Sequence, residues 1–310
     1  MTRPIYIDTD TASDDAVALM MAFQNQESFI ITGIGVVAGN VPLSQAVQNA
    51  LFVRELCGAS VSVYAGAHRP LVRPLKTAQH IHGNDGMGNI GLALSGRTPD
   101  DGHAVQALIN AANIYEGELE LVTLGPLTNI ALALSLAPEI ANKIKHCTIM
   151  GGTSDYYGNL TAVSEYNIWA DPEAAEIVFA SDMSKIMVGW DISRKYASFT
   201  ALEAEELRCI GTEKAKVAID SQITLHQWCS EVSKVNGFDF PDPVAMAIAL
   251  APQAITRSKM AAVSVVMNDG PTCGMTIIGD RNYSEHKKNT EVILEADRNY
   301  FIKLLRDALK

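Results

Sequence analysis

Asp8, Asp10, Asp14 and Asp15 put four carboxylates into the eight-residue run Asp8-Thr9-Asp10-Thr11-Ala12-Ser13-Asp14-Asp15. The preceding Ile5-Tyr6-Ile7 reads as a buried strand, and residues 14–24 as a helix dense in apolar side chains. The acids therefore fall at the carboxyl end of a strand and in the first turn of a helix, where open α/β sheets bind ligands. Helix capping and the helix dipole explain one or two acids at such a place. They do not explain four, two of them on a buried strand end with no Lys nearby, because such crowding is costly unless a cation neutralises it. The chemistry expected is that of a divalent-metal site. Oxygen-only ligation favours Ca²⁺ or Mg²⁺ over zinc, and no His pair at i, i+4 points to zinc.

The elements that must hold this cluster alternate along most of the chain. Helical patterns at Leu43–Leu56, 104–115 and Thr128–Leu136 interleave with strand patterns at 30–37, 119–124, 147–150 and Lys185–Val188. This alternation predicts an α/β fold: an open, mostly parallel central sheet with helices on both faces. Residues 200–250 read as a purely helical elaboration, including one long segment over 212–235. Strand patterns return at 262–267 and 292–296, before a terminal helix. With no linker, compositional break or repeat, residues 1–310 are expected to form a single catalytic domain.

Composition narrows the partners. The formal charge of −11 and the absence of Lys/Arg clusters argue against nucleic acid and favour a small neutral substrate. No apolar stretch is long enough for a membrane span. The five cysteines are odd in number, widely spaced and without a C-x-x-C pair, which suits reduced thiols in a cytoplasmic protein.

Two families share the opening motif. Asp8-Thr9-Asp10 after an apolar strand resembles, locally, the haloacid-dehalogenase-type phosphatases, which use the first Asp as nucleophile and bind Mg²⁺. A second resemblance runs along most of the chain. After the acidic run come Val37-Ala38-Gly39-Asn40, His80-Ile81-His82-Gly83 with Gly86-Met87-Gly88, and Leu124-Gly125-Pro126-Leu127-Thr128-Asn129. Then follow Met150-Gly151-Gly152, Gly158-Asn159 with Glu165-Tyr166-Asn167-Ile168, Asp171-Pro172-Glu173-Ala174-Ala175, and Asp242-Pro243. In this order and spacing the chain resembles the inosine-uridine-type nucleoside hydrolases, which cleave the N-glycosidic bond of ribonucleosides with a tightly held Ca²⁺.

Carried over position by position, the resemblance implies that Asp10, Asp15 and Asp242 ligate Ca²⁺ through carboxylates and Leu124 through its backbone carbonyl. Asp10 would also activate water. Asp14, Asn159, Glu165 and Asn167 would grip the ribose hydroxyls, Asn40 would lie near the ribose and the leaving group, and Met150 would pack against the sugar. A homodimer or homotetramer is implied likewise. A third possibility keeps the fold and binds a nucleoside or sugar without turnover.

The chain departs from that pattern twice. Thr11-Ala12 replaces the usual Pro-Gly of the first turn, with the ligands retained. Pro241 stands where many members carry a His that assists departure of the base, and proline can donate no proton. His82 is the first candidate to replace it; His226 and Trp228, in the long helical segment, are the second. Trp169 and Trp190 read as core residues, each beside apolar sequence.

Overall fold

The computed structural model of the protein describes residues 2–234, 236–279 and 286–310. Its strands are β1 (Arg3–Thr9), β2 (Phe29–Val36), β3 (Val63–Ala65), β4 (Leu119–Thr123), β5 (Ile144–Met150), β6 (Lys185–Val188), β7 (Ser198–Phe199), β8 (Phe238–Asp239), β9 (Ile255–Val265), β10 (Thr276–Gly279) and β11 (Thr290–Ala296). Nine of them form one sheet in the order β10-β9-β11-β6-β5-β4-β1-β2-β3. Pairing is parallel from β11 to β3, while β9 runs antiparallel to both β11 and β10. The expected α/β class and mostly parallel sheet are what is found.

Alternation along β1 shows why both faces need cover. Ile5 and Ile7 belong to one apolar cluster, with Leu19, Met20 and Ile248; Tyr6 belongs to another, with Leu108, Ile130 and Phe179. Successive side chains of a strand point to opposite faces, so helices must lie on each. The helix Ser13–Gln24 is buried along nearly its whole length, since helices Pro241–Leu250, Leu43–Leu56 and Arg298–Ala308 pack around it. The chain moves outward from β1 in both directions, β2 and β3 to one side, β4, β5 and β6 to the other. That reversal opens a crevice at the carboxyl ends of β1 and β4, the switch point at which such sheets bind ligands.

The helical elaboration differs from expectation. The predicted segment over 212–235 is broken into helices Glu213–Asp220 and Ile223–Trp228 followed by a π-helical turn, Cys229–Ser233; residue 235 lies outside the described residues. The ribbon of β7 and β8 enters the same region, and Phe199, Phe238 and Phe240 explain it. Their rings meet at 5.0 to 6.3 Å between centroids, a contact that alternating strand positions deliver and a continuous helix would not. Gly237 makes the approach possible, since a Cβ there would overlap the carbonyl of Phe199. Strand β9 starts seven residues before the 262–267 pattern, at Ile255, and β10 carried no pattern of its own.

Candidate active site

Asp8 and Thr9 are the last residues of β1, and Asp10 follows in the crevice. Asp8 is fixed by the segment that follows β4: Asn129, in the helix Thr128–Leu136, donates to its Oδ2 at 2.8 Å, and Leu124 N donates to its backbone carbonyl at 2.8 Å. Ala12 starts the helix Ser13–Gln24 without a capping side chain, and Asp15 reaches back instead, accepting from Ala12 N at 2.9 Å. Capping is thus part of what Asp15 does. Its other oxygen accepts from Thr9 Oγ1 at 2.5 Å.

Asp10 is enclosed. Its Oδ2 accepts from Asn40 N at 2.5 Å, whereas its buried Oδ1 meets no donor among the described residues. A Cβ at Gly125 would stand 2.6 Å from that Oδ1, and one at Gly39 would overlap Oδ2. The two glycines of the Val37-Ala38-Gly39-Asn40 and Leu124-Gly125-Pro126 blocks are therefore the space into which this carboxylate fits.

Asp242 comes from the far end of the chain, on the first turn of the helix Pro241–Leu250. Asp14, Asp15 and Asp242 each offer an oxygen within 4.8 Å of the others. Burial, then the charge of Asp15, pushes the carboxyl of Asp10 well above the usual range, and the same two causes act on Asp242. Asp15 is pushed up to about 7, by burial and then Asp14, and Asp8 to about 8 by burial. Four buried acids that resist ionisation are in want of positive charge, and the donor set is all oxygen. Among the described residues, the buried Oδ1 atoms of Asp10 and Asp14 have no hydrogen-bond partner. These residues fit a divalent cation.

The rest of the site hangs on the loop after β5. Asn167 donates to the carbonyl of Leu124 at 2.7 Å and to that of Met150 at 3.3 Å, so it ties together the ends of β4 and β5. Glu165 caps the helix Tyr166–Ala170, its carboxylate accepting from Asn167 N, Ile168 N and Gly152 N at 2.8, 3.2 and 2.9 Å. Burial nevertheless pushes it up to about 7. Asn159 accepts from Tyr166 N at 2.9 Å. The local roles that such loop residues often have are therefore real here, and they orient side chains that also face a cavity.

That cavity has about 770 Å³ of empty space, its open mouth included. Its lining is polar at Asp14, Asn40, Asn159, Glu165, Asn167 and Asp242, and apolar at Ile81, Leu124, Met150, Trp190, Leu225, Trp228 and Pro241. His82 lies between Ser13 and the cavity, its Nδ1 3.0 Å from Ser13 Oγ and 3.9 Å from Asp14 Oδ1, and burial lowers its pKa. Asp10 and Asp15 lie beneath the floor.

Of the residues expected to touch substrate, His226 is the one absent from the lining of this cavity. It borders a separate cleft, its Nε2 3.4 Å from Asn236 Oδ1 and its ring edge-on to Phe238. Trp228, two positions along a helix, points the other way and does line the cavity. Trp190, read as core, lines it too. Its position directly after the β6 end, past Gly189, was the signal for it. Asp239 and Tyr166 also face the cavity and had no sequence signal beyond their neighbours.

Comparison with known proteins places the whole chain. The model of the family "Inosine-uridine preferring nucleoside hydrolase" matches residues 5–303. The Leishmania major protein of that name is 35% identical over 313 residues, covering 100% of this chain and 98% of the relative. Among solved structures, a plant nucleoside hydrolase superposes with a TM-score of 0.93 at 30% identity, covering 100% of this chain and 99% of that one. A purine-preferring ribonucleoside hydrolase from Gardnerella vaginalis gives 0.90 at 30% identity, over 99% and 98%. Sheet order, acidic floor and these matches agree, and the chain belongs to the inosine-uridine preferring nucleoside hydrolase family.

Proposed function

We propose that the protein hydrolyses the N-glycosidic bond of ribonucleosides, releasing ribose and free base, with Ca²⁺ held by Asp10, Asp15, Asp242 and the carbonyl of Leu124. The observation that carries this reading is the juxtaposition of unsatisfied buried carboxylates with a cavity lined both by carboxylates and amides and by two tryptophans. A ribose is a neutral polyol and matches carboxylates and amides; a nucleobase matches Trp190 and Trp228.

In the reaction the C1′–N bond breaks and a C1′–O bond forms from water. The charge that develops is oxocarbenium-like, as in other glycoside hydrolyses. When bound, the cation supplies positive charge and Lewis acidity towards oxygen. Asp10, with one oxygen held by Asn40 and the other free, accepts the proton of the attacking water. Asp14, Asn159, Glu165 and Asn167 hold the ribose hydroxyls and resist rotation of the sugar, and Asn40 stands near the C1′ side. The base nitrogen must gain a hydrogen bond or proton as it leaves. Pro241 cannot give it, and His82 is assigned that contact. The same proposal places the enzyme in the cytoplasm, in keeping with five unpaired cysteines, as a homo-oligomer.

The test is incubation with inosine, uridine, cytidine, adenosine and p-nitrophenyl phosphate, with and without EDTA and with Ca²⁺ or Mg²⁺ restored, measuring free ribose and phosphate. Ribose release that EDTA and Asp10→Ala both abolish supports the reading. Phosphate release without ribose overturns it in favour of the phosphatase chemistry.

A further inference from the structure

We propose that Gln222, acting through Ser13, positions His82 by locking its imidazole in the tautomer that carries hydrogen on Nδ1 and leaves Nε2 to meet the base. The inference rests on the nucleoside-hydrolase reading for its function, but its chemistry follows from hydrogen bonds alone. The amide of Gln222 has no freedom to flip. Its Nε2 donates to two backbone carbonyls, Ser13 O at 2.9 Å and Ala218 O at 3.1 Å, and a carbonyl can only accept. The other end must therefore be oxygen, and it lies 2.9 Å from Ser13 Oγ. Ser13 has one hydroxyl hydrogen, which this oxygen claims. What Ser13 offers His82 Nδ1, 3.0 Å away, is a lone pair. Nδ1 must then be the donor. Asp14 Oδ1, 3.9 Å from the same nitrogen, favours a hydrogen there as well.

The surrounding fold holds this chain of three rigid. Gln222 sits at the break between helices Glu213–Asp220 and Ile223–Trp228, which is why the segment is not one continuous helix. The His82 loop is pressed against that break: a Cβ at Gly88 would stand 2.5 Å from Ser221 O, and Gly88 N donates to His82 O at 2.8 Å. Gln222, Ser13 and His82 are all buried. With Nδ1 committed to Ser13, a second proton taken from solvent can sit only on Nε2; that nitrogen passes it to the leaving base, and the ring returns to the neutral form protonated on Nδ1. Gln222 and Ser13 touch no substrate and are positioning residues.

The tautomer is read directly from two-bond ¹H–¹⁵N spectra of the ¹⁵N-histidine-labelled full chain, with the His82 signals identified by their loss in His82→Asn. The wild type should show the Nδ1-protonated pattern, and Gln222→Leu and Ser13→Ala should shift His82 towards the Nε2-protonated form. A wild-type His82 protonated on Nε2, or one unmoved by both substitutions, overturns the proposal whatever the activity. In kinetics, Gln222→Leu should lower kcat on inosine and uridine about tenfold while sparing p-nitrophenyl riboside, whose phenolate leaves without a proton. An equal loss on both substrates, with the wild-type tautomer kept, assigns Gln222 to folding and overturns the proposal. If His82→Asn leaves inosine turnover intact, the leaving-group assignment of His82 fails. Absence of ribose release in the wild type is the separate failure of the nucleoside-hydrolase reading, and the spectra still decide the tautomer.

Discussion

Replacing Asp8 with Asn should abolish a pH-dependent loss of stability and leave nucleoside hydrolysis standing. Asp8 is buried, with Oδ2 held by Asn129 at 2.8 Å and Oδ1 without a donor. Burial pushes its carboxyl from the ordinary 3.8 up to about 8. The unfolded chain releases this proton near the ordinary value and the folded chain only near pH 8, so between the two the folded state binds one proton more. The stability Asp8 contributes is therefore complete below the ordinary value and is lost as pH rises towards about 8. The slope is about 1.4 kcal/mol per pH unit, and the whole loss is about 6 kcal/mol if the folded state carries the full shift. Asn has the same shape, keeps an oxygen for Asn129 and has no proton to lose. Urea midpoints of the two proteins in EDTA, at about pH 5, 6 and 7, should diverge in favour of Asp8→Asn by about 1.4 kcal/mol per unit. A gap that does not change with pH refutes the reasoning. Ribose release by the folded variant should stay within about tenfold of wild type, whereas its complete loss would place Asp8 in the hydrolytic machinery.

Gly125→Ala should cut ribose release by about 10²-fold with an unchanged circular dichroism spectrum, because the new methyl displaces Asp10 Oδ1. Asn167→Ala removes the bonds to the Leu124 and Met150 carbonyls and should raise KM for inosine about tenfold, more than it lowers kcat, in steady-state assays. Lys185 is buried, donates to the Ser181 and Met183 carbonyls, and is pushed down to about 8 by burial. Its folded value lies below the ordinary 10.5, so stability rises as pH climbs from about 8 to 10; Lys185→Met should remove up to about 3 kcal/mol of that rise, measured by urea titration.

Much of this architecture was legible because its signals are local. The acidic run announced a charged strand end, and periodicity placed the helices Leu43–Leu56 and Thr128–Leu136 at their observed bounds. Non-local causes were not legible. The helix break at Ser221 and Gln222 answers to Ser13 and Gly88, and the β7–β8 ribbon answers to a cluster of phenylalanines; neither leaves a trace in a window of adjacent residues. The same holds in the cavity. His226 and Trp228 sit two positions apart, and a rotation of about 200° around a helix sends one to the cavity and the other away. Trp190 looked like core because its neighbours are apolar, yet it follows a strand end and so reaches the crevice. Glu165 shows the opposite lesson: its capping of the helix Tyr166–Ala170 is genuine, and the cap is what aims it.

The partners of the first eight acidic-run residues lie far along the chain: Asn129 is 121 residues beyond Asp8, and Gln222 is 209 beyond Ser13. On a ribosome adding roughly 5–20 residues per second, the second interval lasts roughly 10–40 s. Throughout that time Asp14 and Asp15 wait for Asp242, the third acid of their cluster, and their mutual repulsion favours an open, hydrated end of the first strand. The catalytic floor is therefore among the last parts of the molecule to close, and synthesis must pass Asp242 before a cation can find its full set of oxygens.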